Sequence, residues 1–240
     1  MGIPAEECTR PVVYSVPNPD LPFNLGGTCF VIRFRGRLWA ITAKHVLRNT
    51  QVHISQVQIP YDLSCSGFFP LADAATFEDY PTDSDCTDIV LFEIDEKRIA
   101  EGRYDPGTVY DLDGEPDYQV TGDMLLALHG FPDADNFANE VDQSLEIQRL
   151  SLCGKFGDES QATGCREIHL FDAGKIESHS GLSGCPVFIA SSEFQQFTES
   201  KLIGVNLRGS AENLKKHYVD VFAVKALIDY HIQKTKGSGL

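Results

Sequence analysis

Three side chains of the types that together carry out acyl transfer stand far apart in this chain: His45, Asp88 and Ser183. Ser183 lies in "SHSGLSGCPVF", residues 178–188, two residues after Gly181 and directly before Gly184, ahead of a strand-like run. A polar residue in so tight a turn packs poorly. A hydroxyl held there is presented outward, with bare backbone N–H groups beside it. A serine hydroxyl is a weak nucleophile at its own pKa and needs a base within hydrogen-bond reach. His45, just past a strand in "WAITAKHVL", is of the type that takes such a proton and returns it to a leaving group. Asp88, at the mouth of "DIVLFEI", is of the type that holds an imidazole in one tautomer. Each residue alone also has a plainer reading: a satisfied histidine, a strand-entry aspartate, a polar turn.

Short alternating or apolar runs bounded by Gly, Pro and Asp must position these groups, and they predict an all-β plan. "TCFVIRF" (28–34) and "RLWAIT" (37–42) flank "RG" and read as a hairpin. "QVHISQVQI" (51–59) and "DIVLFEI" (88–94) complete a first cluster. After the polar, turn-rich stretch 111–123 comes a second, with strands expected in 124–131, 144–156, 166–174, 185–190, 201–207 and 218–224. Val224, Leu227, Ile228 and Ile232 then repeat at helical spacing and predict a C-terminal amphipathic helix.

The 240 residues carry 20 basic and 35 acidic side chains, a formal charge of −15. Such a surface repels nucleic acid and anionic membrane, and neither is an expected partner. The N-terminus has no cationic start with an apolar core, and no apolar run approaches the length of a membrane span. A cytoplasmic protein is therefore expected. Seven cysteines, an odd number without a Cys-x-x-Cys pair, argue for small buried thiols rather than a disulfide framework or a zinc site. His53, His129, His169, His179, His217 and His231 make no pair of metal-ligand spacing, so neither metal nor cofactor is expected.

Taken together in the order His, Asp, Ser, the motifs resemble those of a chymotrypsin-fold (trypsin-like) serine peptidase, closer to the disulfide-free HtrA type than to the secreted digestive enzymes. "WAITAKHV" is similar to the family's Thr/Ser-Ala-Ala-His segment, "TDIVLFEI" to its Asp-Ile-Ala-Leu-Leu strand, and "GLSGCPV" to its Gly-Asp/Asn-Ser-Gly-Gly-Pro-Val. "LLALHGFP" (125–132) resembles the strand that opens the second barrel, and "LIGVNLRG" (202–209) the one that runs beside bound substrate. The resemblance implies one peptidase domain of two six-stranded antiparallel β-barrels, over 24–112 and 121–222, followed by a helix over 223–235. It implies His45, Asp88 and Ser183 as catalytic residues, the N–H groups of Gly181 and Ser183 as oxyanion hole, and protein or peptide as substrate. Leu182 replaces the acid that pairs with a freshly cut N-terminus in digestive members, so activation by such cleavage is not expected. Cys185 replaces the second glycine after the serine and reads as a packing residue.

For specificity, the resemblance puts Glu177 and Asp220 at the floor of the primary pocket, Gly209 at its wall, and Leu207 with Gly209 along the substrate. Two acids there would favour Lys or Arg at the cleavage site. They read equally as solvated acids of an acidic protein, and Lys175 stands close enough in sequence to neutralise Glu177. Asn206 stands where Glu- and Gln-specific relatives carry a histidine, which argues against those preferences. Two rival expectations remain beside a peptidase: a peptide-binding module on the same fold, and an effector silent until a partner protein remodels the oxyanion turn.

Overall fold

The computed structural model describes residues 5–20, 22–49, 51–77, 85–102, 105–115, 120–122, 124–139, 144–160, 164–172, 178–190, 201–210 and 212–237. Most of the regular structure among the described residues is β-strand, and a long helix follows the last strand. The first half holds β1 (Thr9–Ser15), β2 (Phe23–Phe34), β3 (Arg37–Ala43), helix α1 (Lys44–Asn49), β4 (Val57–Gln58), β5 (Leu71–Thr76), β6 (Ile89–Ile94), helix α2 (Glu96–Gly102) and β7 (Tyr110–Asp111). The expected hairpin is β2–β3, turned at Arg35 and Gly36 with φ of 55° and 68°. That left-handed pair suits the strand twist. The Asp113 carboxylate accepts both turn N–H groups, at 2.8 and 3.0 Å, and so holds the non-glycine residue there.

The first unit departs from a six-stranded barrel. It is a seven-stranded sheet in the order β4-β1-β2-β3-β6-β5, with β7 parallel to β2, and its described strands do not close. The stretch 51–59 explains why. It is a 3-10 turn over Ile54–Gln56 and a strand of only two residues, followed by Pro60, which has no N–H to continue a ladder. A gap of about 650 Å³ remains between the edges, lined by Ile54, Val57, Phe68, Leu71 and Phe92 among others.

The second half closes fully. β8 (Leu125–Gly130), β11 (Leu150–Glu159), β12 (Cys165–Leu170), β13 (Pro186–Ala190), β14 (Lys201–Ser210) and β15 (Lys215–Asp220) form a barrel in the order β11-β12-β15-β14-β13-β8. A small pair, β9 (Phe137–Asn139) and β10 (Ser144–Glu146), lies beside it, so the run expected as one strand over 144–156 is divided. Helix α3 (Val221–Gly237) buries Val224, Leu227 and Ile228 as its spacing predicts. It buries them in the core of the first sheet, with Phe30, Ile32 and Trp39, and so straps the second unit to the first. Cys65, Cys153 and the buried Cys8, Cys29, Cys165 and Cys185 are in no disulfide. No described helix is long and apolar enough to cross a membrane.

Candidate active site

The register of two neighbouring strands brings His45 and Asp88 together. Antiparallel pairing of β3 with β6 sets Ala43 opposite Ile89, so the residues beyond each strand end meet. The Lys44 N–H donates to the Asp88 carbonyl at 3.0 Å. The Asp88 carboxylate then engages His45 twice: Oδ1 accepts its backbone N–H at 3.0 Å, and Oδ2 bonds its ring Nδ1. The Arg48 guanidinium adds a third contact to Oδ1 at 3.1 Å. The Asp88 side chain is 13% exposed, which strengthens each of these charge-assisted bonds.

Ser183 reaches the same place from the second barrel, and two threonines hold it there. Gly184, at φ +86°, lies so close to the first sheet that a Cβ would stand 2.2 Å from both the Thr28 carbonyl and the Thr42 hydroxyl. The Thr28 N–H donates to the Ser183 carbonyl at 3.0 Å. The Thr28 hydroxyl donates to the Gly181 carbonyl at 2.8 Å and accepts the Phe131 N–H at 2.8 Å. Thr42 in turn donates to the Thr28 carbonyl at 2.6 Å. Thr28 and Thr42 pass in sequence for ordinary strand residues, and sequence reasoning missed both. Thr28→Val keeps the shape but strands a buried N–H and a buried C=O. It is expected to cost about 2–4 kcal/mol in urea denaturation.

His45, Gly181 and Ser183 line one cleft of about 100 Å³, with Gly26, Gly27, Val46, Asp133 and Ser180. Among the described residues the N–H groups of Gly181 and Ser183 donate to no acceptor. Gly181 stands at φ +87°, and a Cβ there would meet the Phe131 carbonyl at 2.5 Å and the Asp133 N–H nitrogen at 2.6 Å. Only glycine fits that bend. Asp133, another residue that sequence reasoning did not single out, anchors the turn by accepting the Ser180 hydroxyl. The Ser183 hydroxyl itself is turned to the Leu207 carbonyl, 2.9 Å away, and makes no hydrogen bond to the His45 ring.

The residues expected to set specificity fare differently. Glu177 and Lys175 lie outside the described residues. Asp220 accepts the Phe222 N–H at 3.0 Å as the N-cap of α3 and pairs with Arg166 at 3.6 Å. The cause is that β15 ends there, and the first turn of the helix needs an acceptor. At Gly209 the space a Cβ would enter holds the Lys215 carbonyl, at 2.2 Å, and Cδ of Lys216, at 2.6 Å. Leu207 is buried, and its carbonyl is the part turned to Ser183. Among the described residues no three His, Cys, Asp or Glu side chains stand close enough together to hold a metal ion.

Sheet order, barrel and terminal helix define a chymotrypsin-like fold, its first barrel open and its second closed. Among solved structures the chain is similar to a thermostable serine protease, AL20, from an extremophilic microorganism: TM-score 0.60, 13% sequence identity, 95% of this chain and 98% of that one covered. At that identity the likeness is one of fold. No family model and no curated protein matches the sequence.

Proposed function

We propose that the chain is a serine endopeptidase acting through Ser183, His45 and Asp88. The observation that carries this reading is the double engagement of His45 by Asp88 on the wall of the cleft that Ser183 also lines. With Nδ1–H held by the carboxylate, Nε2 is left as the acceptor. The Ser183 Oγ–H turns from the Leu207 carbonyl to Nε2 by rotation about its Cα–Cβ bond, and Oγ attacks the scissile carbonyl as the proton passes to His45. The carbonyl oxygen becomes an oxyanion between the N–H groups of Gly181 and Ser183. Losing one such donor typically costs ~100- to 1000-fold in rate. His45 then protonates the leaving amine, and water repeats the sequence on the acyl-enzyme. The substrate is a protein or peptide lying along β14 at Leu207–Gly209.

The rotation of Ser183 away from His45 also favours a second reading, an effector in which a partner protein or bound peptide switches the hydroxyl over. A fluorophosphonate probe separates the two. Labelling of the wild type alone, lost in Ser183→Ala and His45→Ala, supports a peptidase active by itself. Labelling only after a cell extract is added supports the effector. Labelling that survives Ser183→Ala discards both.

A further inference from the structure

Lys216 is the most unusual side chain near this site. Its residue is 1% exposed, yet it makes no hydrogen bond or ion pair with any described residue. A charged ammonium taken from water without a partner is costly, and folds rarely keep one without a use. Its position is fixed by strand geometry. Lys216 and Tyr218 are two apart on β15 and so share a face. Tyr218 is fully buried in the second barrel's core with Leu182 and Cys185, the residues on either side of the Ser183–Gly184 turn. The stem of Lys216 passes Gly209, its partner on β14, and its charge acts on the Cys185 thiol. Two polar atoms nearby are buried without a hydrogen-bond partner among the described residues, the Tyr218 hydroxyl and Oδ1 of Asn206, whose residues are register partners across β14 and β15.

We infer, on the reading that Ser183 cuts peptides, that Lys216 is an anion site behind the Ser183–Gly184 turn, selecting substrates with aspartate or glutamate before the scissile bond. The substrate carboxylate supplies the counter-charge that the fold withholds. This reverses the basic preference expected from Glu177 and Asp220. It also removes the weight of the missing histidine at 206, because the cation comes from the neighbouring strand. Burial lowers the pKa of Lys216 to about 8, so the ammonium is mainly charged at neutral pH. Among the described residues, the titratable groups around it give no negative charge: burial pushes Cys185 up to about 12 and raises Tyr218 further. Lys216 is paired with Gly209 on β14 and with Ile168 on β12, and the one charged β14 neighbour among the described residues, Arg208, is engaged by Asp85.

The test is binding of a fluorescent peptide pair, identical but for Glu or Gln at that position, to the Ser183→Ala chain, with and without Lys216→Met. The Glu peptide is expected to bind roughly 30-fold or more tighter than its Gln twin, and Lys216→Met to abolish the difference. Equal binding to the Ser183→Ala chain overturns the inference, and so does a difference that survives Lys216→Met. Should Lys216→Met not fold, cleavage by the wild type decides. The Glu-over-Gln ratio of kcat/KM is then expected to fall about tenfold per unit as pH rises above the Lys216 pKa. A ratio flat across that range sinks the inference. These readouts are separate from probe labelling: an unlabelled chain that still prefers the Glu peptide rejects the peptidase reading and keeps the anion site.

Discussion

Asp88→Asn is expected to lower kcat by about 10⁴-fold while the chain stays folded. The carboxylate accepts from His45 at both the ring and the backbone. An amide can keep the backbone contact through its oxygen, but its NH₂ then faces Nδ1 as a donor. The ring answers by carrying its proton on Nε2, where it can no longer take one from Ser183. The bond to the Arg48 guanidinium is weakened by loss of charge, but Arg48 is more than half exposed and that loss is small. The rate of fluorophosphonate labelling and kcat, compared with the melting temperature of the same sample, read chemistry and fold separately. A decrease below about tenfold in a folded variant would mean that Asp88 does not orient His45.

The second large effect is on assembly rather than on chemistry. Gly184→Ala is expected to destabilise the chain by about 3 kcal/mol or more and to abolish labelling in what remains folded. The residue sits at φ +86°, and its new methyl would press into backbone and hydroxyl oxygens of β2 and β3 at 2.2 Å. Neither strand can yield without shifting Thr28, and with it the Gly181 carbonyl and the Phe131 N–H that Thr28 holds. Gly36→Ala is the control. Its φ of +68° is similar, but nothing lies within 4 Å of the added methyl, so only backbone strain of about 1 kcal/mol is expected. Urea midpoints of the two variants should differ accordingly, and equal midpoints would show that the contact at Gly184 carries no weight.

Lys216 bears on stability as well as on specificity. A lysine depressed from 10.5 to about 8 on folding is disfavoured as an ammonium by about 3 kcal/mol at neutral pH. Below that pKa both folded and unfolded chains hold the proton and the cost is present in full. Between it and the unfolded value the unfolded chain holds more protons, so stability rises with pH. A site that selects for a bound carboxylate has reason to tolerate such a cost, since ground-state stability and function often oppose each other.

Much of this architecture was legible in one dimension because it rests on local rules. The β2–β3 hairpin follows from apolar strands around a two-residue turn, α3 from its 3.6-residue spacing, and the bend at Ser183 from glycines that alone tolerate its dihedrals. The cap at Asp220 was readable too, since an aspartate just before a helical run signals an N-cap. Other features were not readable, because they depend on which distant residues meet. β1 hid behind Pro11, which pairing at Thr28 accommodates next to an irregularity in the ladder. The opening of the first sheet came from a strand too short to close it. The contact of His45 with Asp88 was set by the β3–β6 register, and that of Ser183 with the first sheet by two threonine hydroxyls. Lys216 is the sharpest case. In "NLKKHY" two adjacent lysines look alike and solvated, but strand alternation turns Lys215 outward to Glu167 and Lys216 into the protein. The sequence alone determined which groups were available for chemistry; the pairing of strands decided which of them share a site and what charge lies beside it, since register and burial are properties of the folded whole.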